Sequence, residues 1–216
     1  MNRKKLGISI GLFMAFTLWT AAVCLVDVKA IGPQNTSVGF ACINGFLHRL
    51  TGVNFLLYHI TDWLGLVPVG VCMGFAVLGL AQWIKRKRIC KVDFSILALG
   101  GFYIITIVAY LFFEEVVINY RPVLISGILE ASYPSSTTML TLCVMPTAAM
   151  QFNTRIKNRI FRKCTILGIM AFTAFMVIGR FLSGVHWFTD IFGGMLLSAA
   201  LVVMYGFISE LKENFK

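Results

Sequence analysis

Long apolar stretches separated by shorter polar ones dominate the chain. Six stretches reach or approach the roughly 18 to 20 apolar residues that are needed to cross the hydrocarbon core of a bilayer. Backbone groups left unpaired in lipid are costly, so each stretch is predicted to be a helix rather than a strand. The predicted spans are 6–26, 64–84, 94–118, 135–152, 164–181 and 191–208. The pattern therefore predicts a single all-α integral membrane domain, a bundle of six transmembrane helices.

The connection between the first two predicted spans has a pattern of its own. Apolar residues recur at helical spacing from Phe40 to Leu50, and Asn44 and His48 lie between them. This spacing is typical of an amphipathic helix in the plane of the membrane interface. We therefore predict that 38–63 is an interfacial helical segment. It covers the bundle in the simpler interpretation and gates a lipid tail in the alternative one.

The composition supports the membrane class and changes how the charge is interpreted. The chain is 58% hydrophobic and 13% charged, with a mean hydropathy of +0.84, which is too apolar for a soluble domain. The net charge of +10 does not predict a nucleic-acid partner, because most basic residues fall on one side of the predicted spans. By the positive-inside rule both termini are cytoplasmic, and we expect the plasma membrane as the location. The basic segments are 3–5, 85–91, 155–163 and the pair Lys212 and Lys216.

Two further features limit the possible interpretations. Basic residues followed by an apolar run also fit a cleaved signal peptide, but 6–26 is long for one, so an uncleaved span is favoured. The six cysteines stand singly along the chain. This spacing indicates neither a disulfide framework nor a metal cluster.

Three polar phrases interrupt the apolar pattern, and the predicted topology places all of them on the extracytoplasmic side. They are Tyr120-Arg121-Pro122, Tyr133-Pro134-Ser135-Ser136-Thr137, and Gly179-Arg180 followed by His186 and Asp190. A guanidinium can bind two phosphate oxygens at once, and the free N–H groups of a helix N-terminus attract anions. The phrases together predict a phosphate site at the membrane surface. Taken singly, Arg121 could be an interfacial anchor and the serines a simple helix cap.

His186 and Asp190 are the most informative pair. They are four residues apart, so on a helical turn they share a face and the carboxylate can accept a hydrogen bond from one ring nitrogen. That contact would leave the other nitrogen free as a nucleophile or base. The alternative is a purely structural hydrogen bond at the start of a helix.

These residues resemble the type 2 phosphatidic acid phosphatase superfamily of membrane lipid phosphatases. Its three motifs are Lys-x6-Arg-Pro, Pro-Ser-Gly-His and Ser-Arg-x5-His-x3-Asp. The resemblance implies a six-span bundle that hydrolyses a phosphorylated membrane lipid without metal or cofactor. In it, His186 would attack phosphorus to form a phosphohistidine, and Asp190 would hold its ring. The phosphate would be bound by Arg121, Arg180 and the helix start at Ser135, Ser136 and Thr137.

The departures from the motifs change the expected substrate. Glu114 stands where the family has Lys, and Thr137 stands where it has the His of the second motif; Ser136 and Gly179 replace a Gly and a Ser. General acid catalysis contributes about 10² to 10⁴ in rate when a poor leaving group departs, whereas a phosphate needs little help. We therefore expect an isoprenyl diphosphate to be favoured over a phosphomonoester lipid.

Loss of activity is the alternative to an altered substrate. Glu114 lies seven residues before Arg121, so we predict an ion pair between them that would compete with phosphate. A protein with such a pair could bind or transport phosphorylated lipids without hydrolysing them. A structural scaffold is the third possibility, which the retained Arg180, His186 and Asp190 disfavour.

Overall fold

The computed structural model describes residues 2–211, so the predicted cytoplasmic residues Lys212 and Lys216 lie outside the described residues. The described part of the chain forms eight α-helices. They are α1 (Asn2–Leu25), α2 (Ala41–Thr51), α3 (Phe55–Leu64), α4 (Leu66–Arg86), α5 (Phe94–Glu115), α6 (Ser136–Arg155), α7 (Arg159–Leu182) and α8 (Phe188–Leu211). Two short antiparallel strands, β1 (Lys29–Ala30) and β2 (Ser37–Val38), lie between α1 and α2.

The prediction of an all-α membrane bundle is confirmed. Within residues 2–211, five helical stretches are long and apolar enough to cross a membrane. They are Arg3–Leu25, Phe55–Arg86, Phe94–Glu115, Arg159–Leu182 and Phe188–Glu210. The second of these includes both α3 and α4, which adjoin at Gly65.

Helix α6 corresponds to the remaining predicted span, 135–152, and is more polar than the other five. It packs against α4, α5, α7 and α8, so its polar side chains face protein rather than lipid. Thr147 Oγ1 donates to the Cys143 carbonyl at 2.8 Å, and Gln151 Nε2 donates to Tyr205 Oη at 2.6 Å. Because these buried groups find partners inside the bundle, the helix tolerates them.

Helix α1 lies along α8 and reaches the polar end of the bundle. Ser9 Oγ donates to the Ala200 carbonyl at 2.9 Å, near the start of this contact. Thr20 Oγ1 lies 2.6 Å from the hydroxyl of Tyr133, which precedes α6. The first helix therefore supports the segment that carries the second polar phrase.

Helices α2 and α3 form the segment that was predicted to be interfacial; their depth in a membrane stays a prediction. Asn44 Nδ2 donates to Thr189 Oγ1 at 3.0 Å, and the Thr189 amide donates back to Asn44 Oδ1 at 3.2 Å. His48 Nε2 donates to the Gly184 carbonyl at 3.1 Å. The polar residues of this segment thus contact both the connection between α7 and α8, which carries His186, and the first turn of α8.

Candidate active site

The polar phrases meet at one end of the bundle because successive helices alternate in direction. Arg121 lies in the connection after α5, Arg180 in the last turn of α7, and Asp190 in the first turn of α8. The connection between α5 and α6 doubles back on itself, since Tyr120 and Ala131 form an antiparallel bridge. Trp187 Nε1 donates to the Tyr120 carbonyl at 2.8 Å, which joins this connection to the one that carries His186.

His186 and Asp190 are joined through Ser132, which corrects the predicted direct contact. Among residues 2–211, no direct hydrogen bond connects the imidazole to the carboxylate. Instead, Ser132 Oγ donates to Asp190 Oδ2 at 2.5 Å and lies 2.9 Å from His186 Nδ1. The single hydroxyl proton is directed at the carboxylate, so Ser132 Oγ accepts the proton of Nδ1. In this tautomer Nε2 carries no proton, and its lone pair can act as an acceptor or a nucleophile.

Asp190 is held in place by further hydrogen bonds. Asn119 Nδ2 donates to its Oδ1 at 3.1 Å, and the Trp187 amide donates to its Oδ2 at 2.9 Å. The second bond satisfies a backbone donor at the start of α8, as a capping residue does. Asp190 therefore accepts a backbone hydrogen bond at the start of α8. It also accepts from the Ser132 hydroxyl, which contacts His186.

Arg180 and Arg121 form the cationic part of the site. Both are buried, and the guanidinium carbons lie 5.0 Å and 5.9 Å from the ring centre of Tyr58. Arg180 Nη2 lies 3.4 Å from His186 Nε2, and its Nη1 lies 3.4 Å from Thr61 Oγ1. The unprotonated Nε2 therefore accepts from a guanidinium, which would also bind the oxygens of a phosphate placed there.

Both arginines have a carboxylate partner, and the partner of Arg121 differs from the predicted one. Arg121 Nε lies 3.1 Å from Glu130 Oε2, and Arg180 Nη1 lies 3.6 Å from Asp62 Oδ1. The predicted Glu114–Arg121 ion pair is wrong: none joins these residues in the described chain. The bridge between Tyr120 and Ala131 explains this, because it brings Glu130 opposite Arg121, whereas α5 ends at Glu115 and Glu114 no longer shares a helix with Arg121.

The start of α6 provides additional donors. Ser135 precedes the helix, and its fully buried hydroxyl has no hydrogen-bond partner among residues 2–211. Its side chain does not cap the first-turn amides, so those N–H groups stay available. The Ser135 amide donates to the Asp190 carbonyl at 3.1 Å, which connects this helix start to α8. A helix N-terminus with uncapped amides suits an anion.

A cavity of about 450 Å³ connects this end of the bundle with its apolar side. Asp62, Ser136 and Thr137 lie at its polar end, and the rest of its lining is mostly apolar. The apolar lining residues come from α4, α5 and α6: Val69, Cys72, Ile107, Met139, Leu140 and Val144. A narrower cavity beside it is lined by Glu114, Ser136 and His186. Ser136 borders both cavities, so apolar space lies beside the polar groups.

The environment of His186 sets its protonation. Burial lowers the pKa of His186 well below its ordinary value of 6.5, and the positive charges of Arg121 and Arg180 lower it further. An interaction with the backbone of Ser132 raises the pKa in the opposite direction. The imidazole is therefore neutral at pH 7, the form that can act as a nucleophile.

Sequence reasoning missed several residues of the site. Ser132 was overlooked because a serine before a Tyr-Pro step carries no spacing that relates it to His186. Tyr58, Thr61 and Asp62 lie on α3, far along the chain from Arg180, and only the packing of α3 on α7 brings them together. Within the described chain, no group of three or more His, Cys, Asp or Glu side chains is arranged to hold a metal ion.

Comparisons with known proteins agree with the fold and the motifs. A comparison with curated protein sequences gave no significant match. A crystal structure described as the first transmembrane PAP2 type phosphatidylglycerolphosphate phosphatase from Bacillus subtilis is similar, with a TM-score of 0.56 and 19% sequence identity. The similarity covers 96% of this chain and 97% of that chain. Residues 71–211, more than half of the chain, match the family model of the PAP2 superfamily, and the chain belongs to that superfamily.

Proposed function

We propose that the protein removes phosphate from a phosphorylated membrane lipid through a phosphohistidine at His186. The observation that carries the proposal is the hydrogen-bonded series from His186 Nδ1 through Ser132 to Asp190, with Nε2 facing Arg180. Family membership and the similarity to a transmembrane phosphatidylglycerolphosphate phosphatase support this class of reaction.

The proposed reaction has two steps. In the first, Nε2 of His186 attacks phosphorus, the bond from phosphorus to the leaving oxygen breaks, and that oxygen takes the electron pair. The imidazole becomes positively charged, and Asp190 stabilises that charge through the hydroxyl of Ser132. In the second, water attacks phosphorus and releases a proton to solvent, the bond to Nε2 breaks with its electron pair returning to the nitrogen, and inorganic phosphate leaves. Arg121 and Arg180 neutralise the phosphoryl oxygens throughout, which is the main requirement in phosphoryl transfer.

An isoprenyl diphosphate is the favoured substrate. Thr137 cannot supply a proton to a departing alkoxide, so a substrate whose leaving group is already a stable phosphate anion reacts more easily. Its hydrocarbon tail would occupy the mostly apolar cavity of about 450 Å³ that begins at Ser136 and Thr137. Burying such a chain contributes about 25 cal/mol for each Å² removed from water.

The same proposal includes the topology. Arg86 and Arg155 lie in the last turns of α4 and α6. These helix ends are at the end of the bundle opposite His186. By the positive-inside rule that end is cytoplasmic, both termini are cytoplasmic, and the site is extracytoplasmic, in the plasma membrane. Reaction of a cysteine placed near His186 with a membrane-impermeant thiol reagent on intact cells would test whether the site is extracytoplasmic.

Phosphate release from purified, detergent-solubilised protein tests the function. A long-chain isoprenyl diphosphate and phosphatidic acid are compared in the wild type and in His186→Ala. We expect release that depends on His186 and that is greater from the diphosphate. Equal rates from both lipids would contradict the substrate preference, and no release that depends on His186 would contradict hydrolysis.

A catalytically impaired protein that binds or transports phosphorylated lipids is the second candidate. The observation that favours it is the ion pairing of both arginines, with Glu130 and with Asp62, which competes with a phosphate. The two functions differ in the fate of bound lipid. Lipid that co-purifies with the protein and stays phosphorylated would support this candidate.

A further inference from the structure

Each arginine of the site is faced by one carboxylate. Glu130 lies 3.1 Å from Arg121, and Asp62 lies 3.6 Å from Arg180. The two carboxylates come from different parts of the fold. Glu130 lies in the doubled-back connection before α6, where the Arg121 amide donates to the Glu130 carbonyl at 3.0 Å. Asp62 lies on α3. Two carboxylates thus occupy positions that the oxygens of a bound phosphate would need.

In the part of the chain that the structure describes, neither pair is fixed by a directional hydrogen bond. Among the described residues, Nε and Nη1 of Arg121 and Nε of Arg180 are buried and have no hydrogen-bond partner. The 3.1 Å contact to Glu130 therefore lacks hydrogen-bond geometry, and the 3.6 Å contact to Asp62 is beyond normal hydrogen-bond length. A phosphate could give these unpartnered donors the short, charge-assisted bonds that the carboxylates do not.

The two members of each pair also differ in their access to water. The side chains of Arg121 and Arg180 are 11% and 1% exposed, whereas those of Glu130 and Asp62 are 38% and 54% exposed. The arginines are fixed in the protein, but the carboxylates can rotate into water, where they stay hydrated. In each pair, the carboxylate is therefore the partner that a phosphate can replace.

We propose that Glu130 and Asp62 act as internal anions that compete with substrate for Arg121 and Arg180, and that this competition selects diphosphates over phosphomonoesters. A phosphomonoester brings one phosphoryl group, which can satisfy one guanidinium fully and the other only in part. A diphosphate brings more charge and a second set of terminal oxygens, so it can displace both carboxylates. The inference rests on the proposed function and extends it to substrate choice.

The simpler interpretation is that the two carboxylates only neutralise buried positive charge. In that case their removal would leave uncompensated positive charge at the site and would favour pyrophosphate, the more highly charged anion, at least as much as phosphate. Competition instead predicts a larger gain for phosphate than for pyrophosphate. The two interpretations are therefore distinguishable by a single set of variants.

The test compares Glu130→Gln, Asp62→Asn and the double variant with wild type. Glu115→Gln is the matched control, because Glu115 is an exposed carboxylate at the end of α5 that forms no ion pair with either arginine in the described chain. Binding of inorganic phosphate and of inorganic pyrophosphate is measured by titration calorimetry on the detergent-solubilised proteins. The same variants are assayed for kcat/KM with a lipid monophosphate and a lipid diphosphate that share one tail, and thermal unfolding shows that each variant is folded.

Competition predicts that each substitution tightens phosphate binding by about fivefold, with a smaller effect on pyrophosphate and none in the control. The preference for diphosphate in kcat/KM should decrease by a similar factor, mainly through KM. In folded variants, unchanged or weaker phosphate binding, or a gain for pyrophosphate that equals or exceeds the gain for phosphate, would overturn the inference. Because the calorimetry needs no turnover, an absence of hydrolysis in wild type would count against the proposed function and leave this test valid.

Discussion

Ser132 Oγ lies 2.9 Å from Nδ1 of His186, and through this contact the imidazole is oriented. The hydroxyl donates a hydrogen bond to Asp190, so it accepts from Nδ1 and fixes the tautomer in which Nε2 carries no proton. A carboxylate that acts through an intervening hydroxyl was not expected from the spacing of His186 and Asp190. The relationship makes Ser132 a positioning residue for the proposed nucleophile.

Removal of the Ser132 hydroxyl should lower the rate of phosphoenzyme formation. In Ser132→Ala the tautomer of His186 is no longer fixed, so we expect kcat to fall about tenfold to hundredfold, or about 1.4 to 2.7 kcal/mol, with little change in KM. Single-turnover trapping of the phosphohistidine measures this step. Ser132→Thr keeps a hydroxyl and should retain more of the rate; equal losses in both variants would indicate a packing effect instead.

Activity should persist on acidification through pH 6.5. Burial, followed by the charges of Arg121 and Arg180, lowers the pKa of His186 well below 6.5, so the neutral nucleophile remains until the pH falls below that value. The acid limb of kcat/KM should therefore have its midpoint below pH 6.5.

A change of charge at Arg121 should shift the pH midpoint of the acid limb of kcat/KM. Arg121→Ala removes a positive charge that lowers the pKa of His186, so the midpoint should shift to higher pH; Arg121→Lys keeps the charge and should leave it in place. A pH profile of kcat/KM for the three proteins checks this. An identical midpoint in all three would mean that His186 does not titrate in the free enzyme.

Replacement of Thr137 by His should restore turnover of phosphomonoesters. Thr137 borders the cavity of about 450 Å³ and is partly exposed, so the larger ring has space beside the leaving group. As a general acid it should raise kcat for a lipid monophosphate by about 10² or more, and change diphosphate turnover little. Rates for both substrates are measured side by side with Thr137→Asn as the control. A similar gain in both variants would argue against proton donation.

A methyl group at Gly184 should destabilise the fold at the site. Its backbone has a φ of +68°, and an added Cβ would lie 1.8 Å from the Gly52 carbonyl oxygen, which belongs to the connection between α2 and α3. We expect Gly184→Ala to cost at least about 2 kcal/mol and to lower activity. Gly100→Ala in α5, where nothing lies within 4 Å of the added methyl, should change stability by no more than about 1 kcal/mol. Thermal unfolding in detergent compares the two.

The sequence alone determined the class of protein, its family and the main chemical groups. Long apolar stretches have few stable solutions in a bilayer, so helices followed from composition and length. The spacing of Arg180, His186 and Asp190 was enough to indicate the superfamily, since these residues are close together in the chain, from the last turn of α7 to the first turn of α8.

Only the tertiary structure decided how these groups are connected. Ser132 stands between His186 and Asp190, and Glu130 rather than Glu114 pairs with Arg121. α3 also brings Tyr58 and Asp62 to Arg180. These contacts join residues that are far apart in the chain or separated by an irregular turn, where no helical or strand period relates one side chain to another. Local periodicity therefore predicted the helices, while the link from His186 to Asp190 and the environment of the arginines depended on packing between elements.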